Sequence, residues 1–151
     1  MSKLMIVTHG NLSSALLATA EMIVGRQEDV VTFGVDLGCS LEKLTEDIRK
    51  AMAALTASGE QVIVLTDIFF GTPFNIIMSM SEEYEFQHIT GVNLSILLEI
   101  LIRRNELQGS DIHEILEQGR SGIIDCSEII GKNEANEKGG EQHEECIDYK
   151  N

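Results

Sequence analysis

Four residues in this sequence are of the types, and in the places, that could do chemistry together: His9, Asp67, Gly71 and Thr72. His9 follows the apolar run Leu4-Met5-Ile6-Val7, and Asp67 ends a second run, Gln61 to Thr66. Both therefore stand where a strand gives way to a loop and the next helix. If those strands are neighbours in a parallel sheet, the two side chains emerge at the same carboxyl edge, where open α/β sheets bind ligands. A carboxylate that accepts a hydrogen bond from one imidazole nitrogen fixes the tautomer and leaves the other nitrogen as a nucleophile. The same carboxylate stabilises the cationic ring once a phosphoryl group sits on it. Gly71 lets the backbone come close, Thr72 offers a hydroxyl, and the helix start behind Pro73 offers N–H groups to an anion. Gly10, Gly71 and Thr72 are thus the candidate phosphoryl-binding residues around a candidate catalytic pair, His9 and Asp67. Each has a plainer reading alone: His9 as a structural histidine bonded to a loop carbonyl, Asp67 as a turn former. Their convergence on one edge favours the chemical reading.

The elements that must position these residues follow from periodicity. Leu4–Val7 is too short for a helix and apolar enough for a strand buried on both faces. Asn11 to Ser14 supply N-cap chemistry for a helix with Leu12, Leu16, Thr19 or Ala20, and Ile23, and Gly25 closes it. Val30 to Val35 reads as a second strand. Gly38 turns the chain, and Ser40 caps a helix bearing Leu41, Leu44, Ile48, Met52 and Leu55. Gln61 to Thr66 is the third strand, and Thr72 caps a helix with Pro73 at its first position. Phe86 to Thr90 is a weaker fourth strand, followed by a helix with Leu94, Leu97, Leu98 and Leu101. Ser110 caps a shorter helix carrying Ile112, Ile115 and Leu116, with Gly119 at its end and a last short strand beginning at Ile123-Ile124. This alternation predicts an open, mostly parallel sheet with helices on both faces, joined by right-handed crossovers.

The 151 residues, 43% of them hydrophobic, suffice for one domain with a proper core. From about residue 132 the chain turns polar and rich in Gly, Glu, Asn and Lys, which reads as a disordered acidic tail, 132–151, behind a folded domain, 1–131. Neither a signal peptide nor an apolar run of membrane-spanning length is read, so a cytoplasmic location is expected. Three cysteines, Cys39, Cys126 and Cys146, do not make a disulfide framework and fit free thiols. The formal charge is −14, and the tail accounts for six acids and three bases, so residues 1–131 carry −11. Such acidity argues against nucleic acid or an anionic membrane surface as partner and points to a basic protein.

Competing chemistries lack their residues. There is no Walker lysine pattern and no Gly-x-Gly-x-x-Gly, so neither a P-loop nucleotide nor a dinucleotide is expected, and no cofactor is assigned. Ser13 and Ser14 lack a nucleophile-elbow context. His143, Glu144, Glu145 and Cys146 could touch a metal, but they lie in the polar tail, and no metal site is assigned. His88 and His113 read as structural or solvent-facing.

The runs IVTHG (6–10), VIVLTDIFFGTPFN (62–75) and TGVNLSILLEIL (90–101) resemble the IIA component of the mannose family of the sugar phosphotransferase system. The resemblance covers roughly residues 3–124. It implies a flavodoxin-like α/β/α sandwich, usually a homodimer, that takes a phosphoryl group on a histidine from the phosphocarrier protein HPr. The group then passes to a IIB component, which phosphorylates sugar entering through membrane IIC and IID components. Matched onto this sequence, His9 is the phosphorylated histidine, Asp67 the acid that orients it, and Thr72 a hydroxyl near the phosphoryl group. The acidic tail stands where some relatives continue into IIB, so a separate IIB chain is expected. The family's dimer exchanges a C-terminal strand, for which Gly122 to Ile130 is the candidate. Phe69 and Phe70, beside Asp67 on one loop, are candidates for the apolar centre of a partner-docking patch, with core packing as the alternative. Other readings are a regulatory flavodoxin-like module without turnover, a phosphohistidine-forming phosphatase, and the phosphotransfer subunit of dihydroxyacetone kinase. The missing arginine of an Arg-His-Gly signature disfavours the phosphatase, and the GTPFN loop speaks against the kinase subunit.

Overall fold

The two most apolar runs form the middle of the sheet. In the computed structural model, which describes residues 1–107 and 111–127, the elements follow in the order β1 (Lys3–His9), α1 (Leu12–Val24), β2 (Val30–Val35), α2 (Leu41–Thr56), β3 (Val62–Thr66), α3 (Thr72–Met78), β4 (Gln87–Thr90), α4 (Leu94–Arg103) and α5 (Asp111–Ser121). The strand order is β2-β1-β3-β4, and every pairing is parallel. Leu4–Val7 and all of β3 are buried because both strands are flanked by others and covered on both faces. The mixed residues of β2 and β4 fit their flanking places, where burial is only partial.

Alternate strand residues face opposite layers. Leu4, Ile6, Ile63, Leu65 and Ile89 pack with Ala20 of α1, Ile96, Leu97, Ile100 and Leu101 of α4, and Ile112 and Ile115 of α5. Met5, Val7, Val62 and Val64 pack with Ile48, Met52 and Leu55 of α2 and Ile76 and Ile77 of α3. The result is the expected α/β/α sandwich with flavodoxin-like strand order. The compact unit that contains it spans Met1–Arg120, and a second unit spans Ser121–Asn151. Among the described residues, no helix is long and apolar enough to cross a membrane.

Several local expectations hold. Ser40 caps α2 through Lys43 N–H (3.3 Å), Asn93 caps α4 through Ile96 N–H (3.0 Å), and Gly25 ends α1 at φ +81. Others need correction. Asn11 makes no side-chain cap to α1; the hydroxyl of Thr8 accepts from Ser13 N–H instead, at 2.7 Å. Gly71, not Thr72, is the N-cap of α3, and Thr72 is already helical. Gly119 does not end α5 but lies inside it, where an added Cβ would come within 2.1 Å of Ile96 Cγ1. It is a close-packing glycine between helices rather than a terminator.

Ile123 and Ile124 do not begin a strand: both are exposed, and the Asp125 carboxylate accepts from Ser127 N–H (2.9 Å), a local bond that competes with a ladder. Of the segment Gly122 to Ile130, residues 122–127 therefore contain no strand. Residues 128–130, the cap Ser110, and the tail 132–151 with His143 and Cys146 lie outside the described residues.

Candidate functional site

His9 is the last residue of β1, and Asp67 directly follows the last residue of β3. These strands are neighbours, and the chain turns to β2 on one side of them and to β4 on the other, so the pair sits at the topological switch point of the sheet. Asp67 Oδ2 accepts from the backbone N–H of His9 (2.8 Å) and lies 2.9 Å from its ring Nδ1. Asp67 Oδ1 accepts from Ile68 N–H, also at 2.9 Å.

Burial alone would raise the Asp67 carboxyl, but the bonds from the His9 backbone and ring and from Ile68 N–H outweigh it. The net effect holds the group below the ordinary carboxylate range. An ionised carboxylate only accepts, so the bond to Nδ1 requires a proton there, and the lone pair of the neutral ring falls on Nε2. The His9 side chain is 44% exposed while that of Asp67 is 10% exposed. An exposed ring is thus held against a mostly covered acid.

The flanking residues shape the space beside the ring. A Cβ added at Gly71 would come within 2.9 Å of His9 Cε1, so only glycine lets this loop close on the imidazole in its present position. Gly10 takes φ +54, a left-handed turn directly after His9, and its N–H donates to Val35 carbonyl at 3.0 Å. That N–H is committed to the neighbouring strand, and the turn conformation is what Gly10 contributes. Gly34 on that strand is pressed against it: an added Cβ would be 2.2 Å from Gly10 carbonyl oxygen. Thr72 and His9 line a shallow cleft of about 270 Å³, walled on its other side by Asp36, Leu37 and Cys39. Behind Gly71, α3 has seven residues and its second, Pro73, has no N–H, so the row of donors expected there is short.

Phe69 and Phe70 are not core residues. They are 59% and 70% exposed, with ring centroids 4.0 Å apart, and Phe74 of α3 meets both edge-on at 5.0 and 5.5 Å. Phe70 takes φ +59, a conformation that costs a non-glycine residue roughly 1–2 kcal/mol. Backbone strain of this kind collects at functional loops.

The family model described as PTS system fructose IIA component (EIIA-man) matches residues 3–118. The chain belongs to the mannose-type IIA family of the sugar phosphotransferase system. It is 31% identical over 134 residues to the PTS system fructose-specific EIIA component of Bacillus subtilis (strain 168), covering 87% of this chain and 91% of that protein. It is 35% identical over 125 residues to the PTS system mannose-specific EIIAB component of Escherichia coli (strain K12), covering 80% of this chain and 38% of that longer protein. The crystal structure of phosphotransferase system component EIIA from Streptococcus agalactiae superposes with a TM-score of 0.72 at 33% identity, over 84% of this chain and 98% of the other. A IIA component is a phosphotransfer protein of sugar transport, and the His9–Asp67 pair lies inside the matched region.

Sequence reasoning overlooked three contributors. Thr8, fully buried, is the hydroxyl that starts α1 behind His9. The loop Asp36–Cys39, which follows β2, lines the cleft with His9 and Thr72. Phe74 lies beneath the exposed aromatic pair and stacks on His88, whose reading as a structural histidine holds, since its Nε2 lies 3.0 Å from the Thr66 hydroxyl.

Proposed function

We propose that this IIA component carries the phosphoryl group on His9 Nε2, accepting it from phospho-HPr and passing it to a IIB component. The observation that carries the reading is the 2.9 Å contact between His9 Nδ1 and Asp67 Oδ2, which leaves Nε2 as the nucleophile at an exposed sheet edge. In the first step the Nε2 lone pair attacks the phosphorus of phospho-HPr. A new N–P bond forms as the donor's N–P bond breaks, and the electron pair returns to the donor histidine. The His9 ring then carries positive charge, which the ionised Asp67 carboxylate offsets. In the second step the nucleophile of IIB attacks the same phosphorus and the pair returns to Nε2, so His9 is restored without net proton uptake.

Thr72 donates its hydroxyl to a phosphoryl oxygen, Gly71 keeps the loop close to the ring, and Gly10 holds the turn that exposes it. Phe69 and Phe70 form the apolar centre of the face that meets HPr and then IIB. The protein works in the cytoplasm as a homodimer, and sugar enters through IIC and IID components that it does not itself contact.

Incubation with phosphorylated HPr tests the reading. A stable phosphoprotein is expected. Release of inorganic phosphate would identify a phosphatase, and no reaction would leave a regulatory module without turnover.

A further inference from the structure

We propose that His88 is a positioning residue for partner docking: held by Thr66, its ring supports Phe74, and Phe74 supports the exposed Phe69–Phe70 pair beside His9. The inference rests on the reading of Phe69 and Phe70 as a docking patch for phospho-HPr.

The contacts run without a gap from the sheet to the surface. His88 pairs with Val64 in the β3–β4 register and faces the same layer as Val64 and Thr66. Its Nε2 lies 3.0 Å from the hydroxyl of Thr66, a fully buried residue whose polar group needs a partner there. Thr66 is also the residue directly before Asp67, so the bond anchors His88 to the end of the strand that carries the catalytic acid.

The Phe74 ring lies against the His88 ring, centroids 5.1 Å apart and planes 30° apart, and the Phe86 ring meets His88 edge-on at 6.4 Å and 62°. Phe74 then meets Phe69 and Phe70 edge-on. Burial lowers the His88 pKa, which keeps the ring neutral and suited to stacking under an aromatic. Two demands meet in this residue, a flat ring for Phe74 and a polar atom for Thr66, and histidine satisfies both. Phe70 stands at the surface end of the stack, with its ring against Phe69 and Phe74.

The test measures the initial rate of phosphoryl transfer from phospho-HPr against donor concentration for the unsubstituted protein, His88→Ala, His88→Gln and His88→Phe. The Ala and Gln variants remove the plate under Phe74 and should raise the donor KM about tenfold, with kcat within about twofold. His88→Phe restores the plate without the Thr66 bond and should return KM to within about threefold of the original. If His88→Ala does not fold, the Gln and Phe pair makes the same comparison. An unchanged KM in His88→Gln, or a KM in His88→Phe no lower than in His88→Gln, overturns the inference. An unsubstituted protein that gains no phosphate from phospho-HPr overturns the underlying functional reading, and this inference with it.

Discussion

Asp67 Oδ2 holds His9 by two points, the backbone N–H at 2.8 Å and the ring Nδ1 at 2.9 Å. One carboxylate oxygen thus ties both the backbone and the ring of the last residue of β1. The acid's second oxygen is tied to Ile68 N–H, so the loop after β3 is positioned by the same group.

Replacing the acid should separate orientation from charge. Asp67→Asn keeps the size and an acceptor oxygen but cannot offset the charge on a phosphorylated ring. Phosphoryl transfer should slow by about ten- to a hundredfold, the range expected for one hydrogen bond to a charged group, roughly 1.5–3 kcal/mol. Circular dichroism should show the fold retained. Transfer at the original rate would make Asp67 a turn residue only. For Thr72→Ala a smaller loss is expected in the same assay.

Gly71→Ala should fold and still transfer more slowly. The added methyl would press on His9 Cε1 from 2.9 Å, and the exposed ring is free to yield. A ring moved off its bond to Asp67 is a misplaced nucleophile, and a loss of about tenfold is expected for a shift of a few tenths of an ångström. Gly34→Ala differs because its methyl would meet the backbone oxygen of Gly10, which cannot yield alone. It should lower the melting temperature, measured by thermal unfolding, as well as the rate.

Stability should carry two separate pH signatures. The Asp67 carboxyl is held below its ordinary value in the fold, so its contribution is present above about pH 3.9, the unfolded value, and is lost as pH falls through the folded one. The His88 ring is also lowered, by burial, so the unfolded chain binds a proton first and stability declines as pH falls below about 6.5. Urea unfolding across pH should show the lower step weakened in Asp67→Asn and the upper step weakened in His88→Phe. Steps that persist in both variants would assign them to other groups.

The exposed aromatic pair gives a docking prediction. Phe70→Ser removes an exposed ring and should weaken transfer from phospho-HPr with little change in melting temperature. Raising the salt should slow the second-order rate if the −11 charge of residues 1–131 attracts a cationic partner. A Phe70→Ser protein that transfers normally would remove the ring from the docking face, and a rate indifferent to salt would remove the electrostatic contribution.

His9 and Asp67 were legible because strands that end in a polar residue, in an alternating α/β pattern, deliver that residue to one edge. The layers were legible for the same reason, since Leu4–Val7 and Val62–Leu65 are too apolar to lie anywhere but mid-sheet. Thr8 escaped notice as a cap because its bond to Ser13 spans a loop whose path is set by packing. Gly119 has the sequence character of a helix end, and only the approach of Ile96 shows what its missing side chain makes room for. Ile123 and Ile124 are apolar enough for a strand, yet strand formation needs a partner edge, which apolarity alone does not supply. The Phe74–His88 stack depends on the β4 register, to the residue, and short strands hold that information weakly.

The central claim is that His9 is the phosphorylated residue, and the most direct measurement is the position of the label after reaction with phospho-HPr. Peptide mapping of the phosphoprotein should place one phosphoryl group on the peptide containing His9, and His9→Ala should take up none. Label on His88, His113 or His143, or undiminished uptake by His9→Ala, would contradict it.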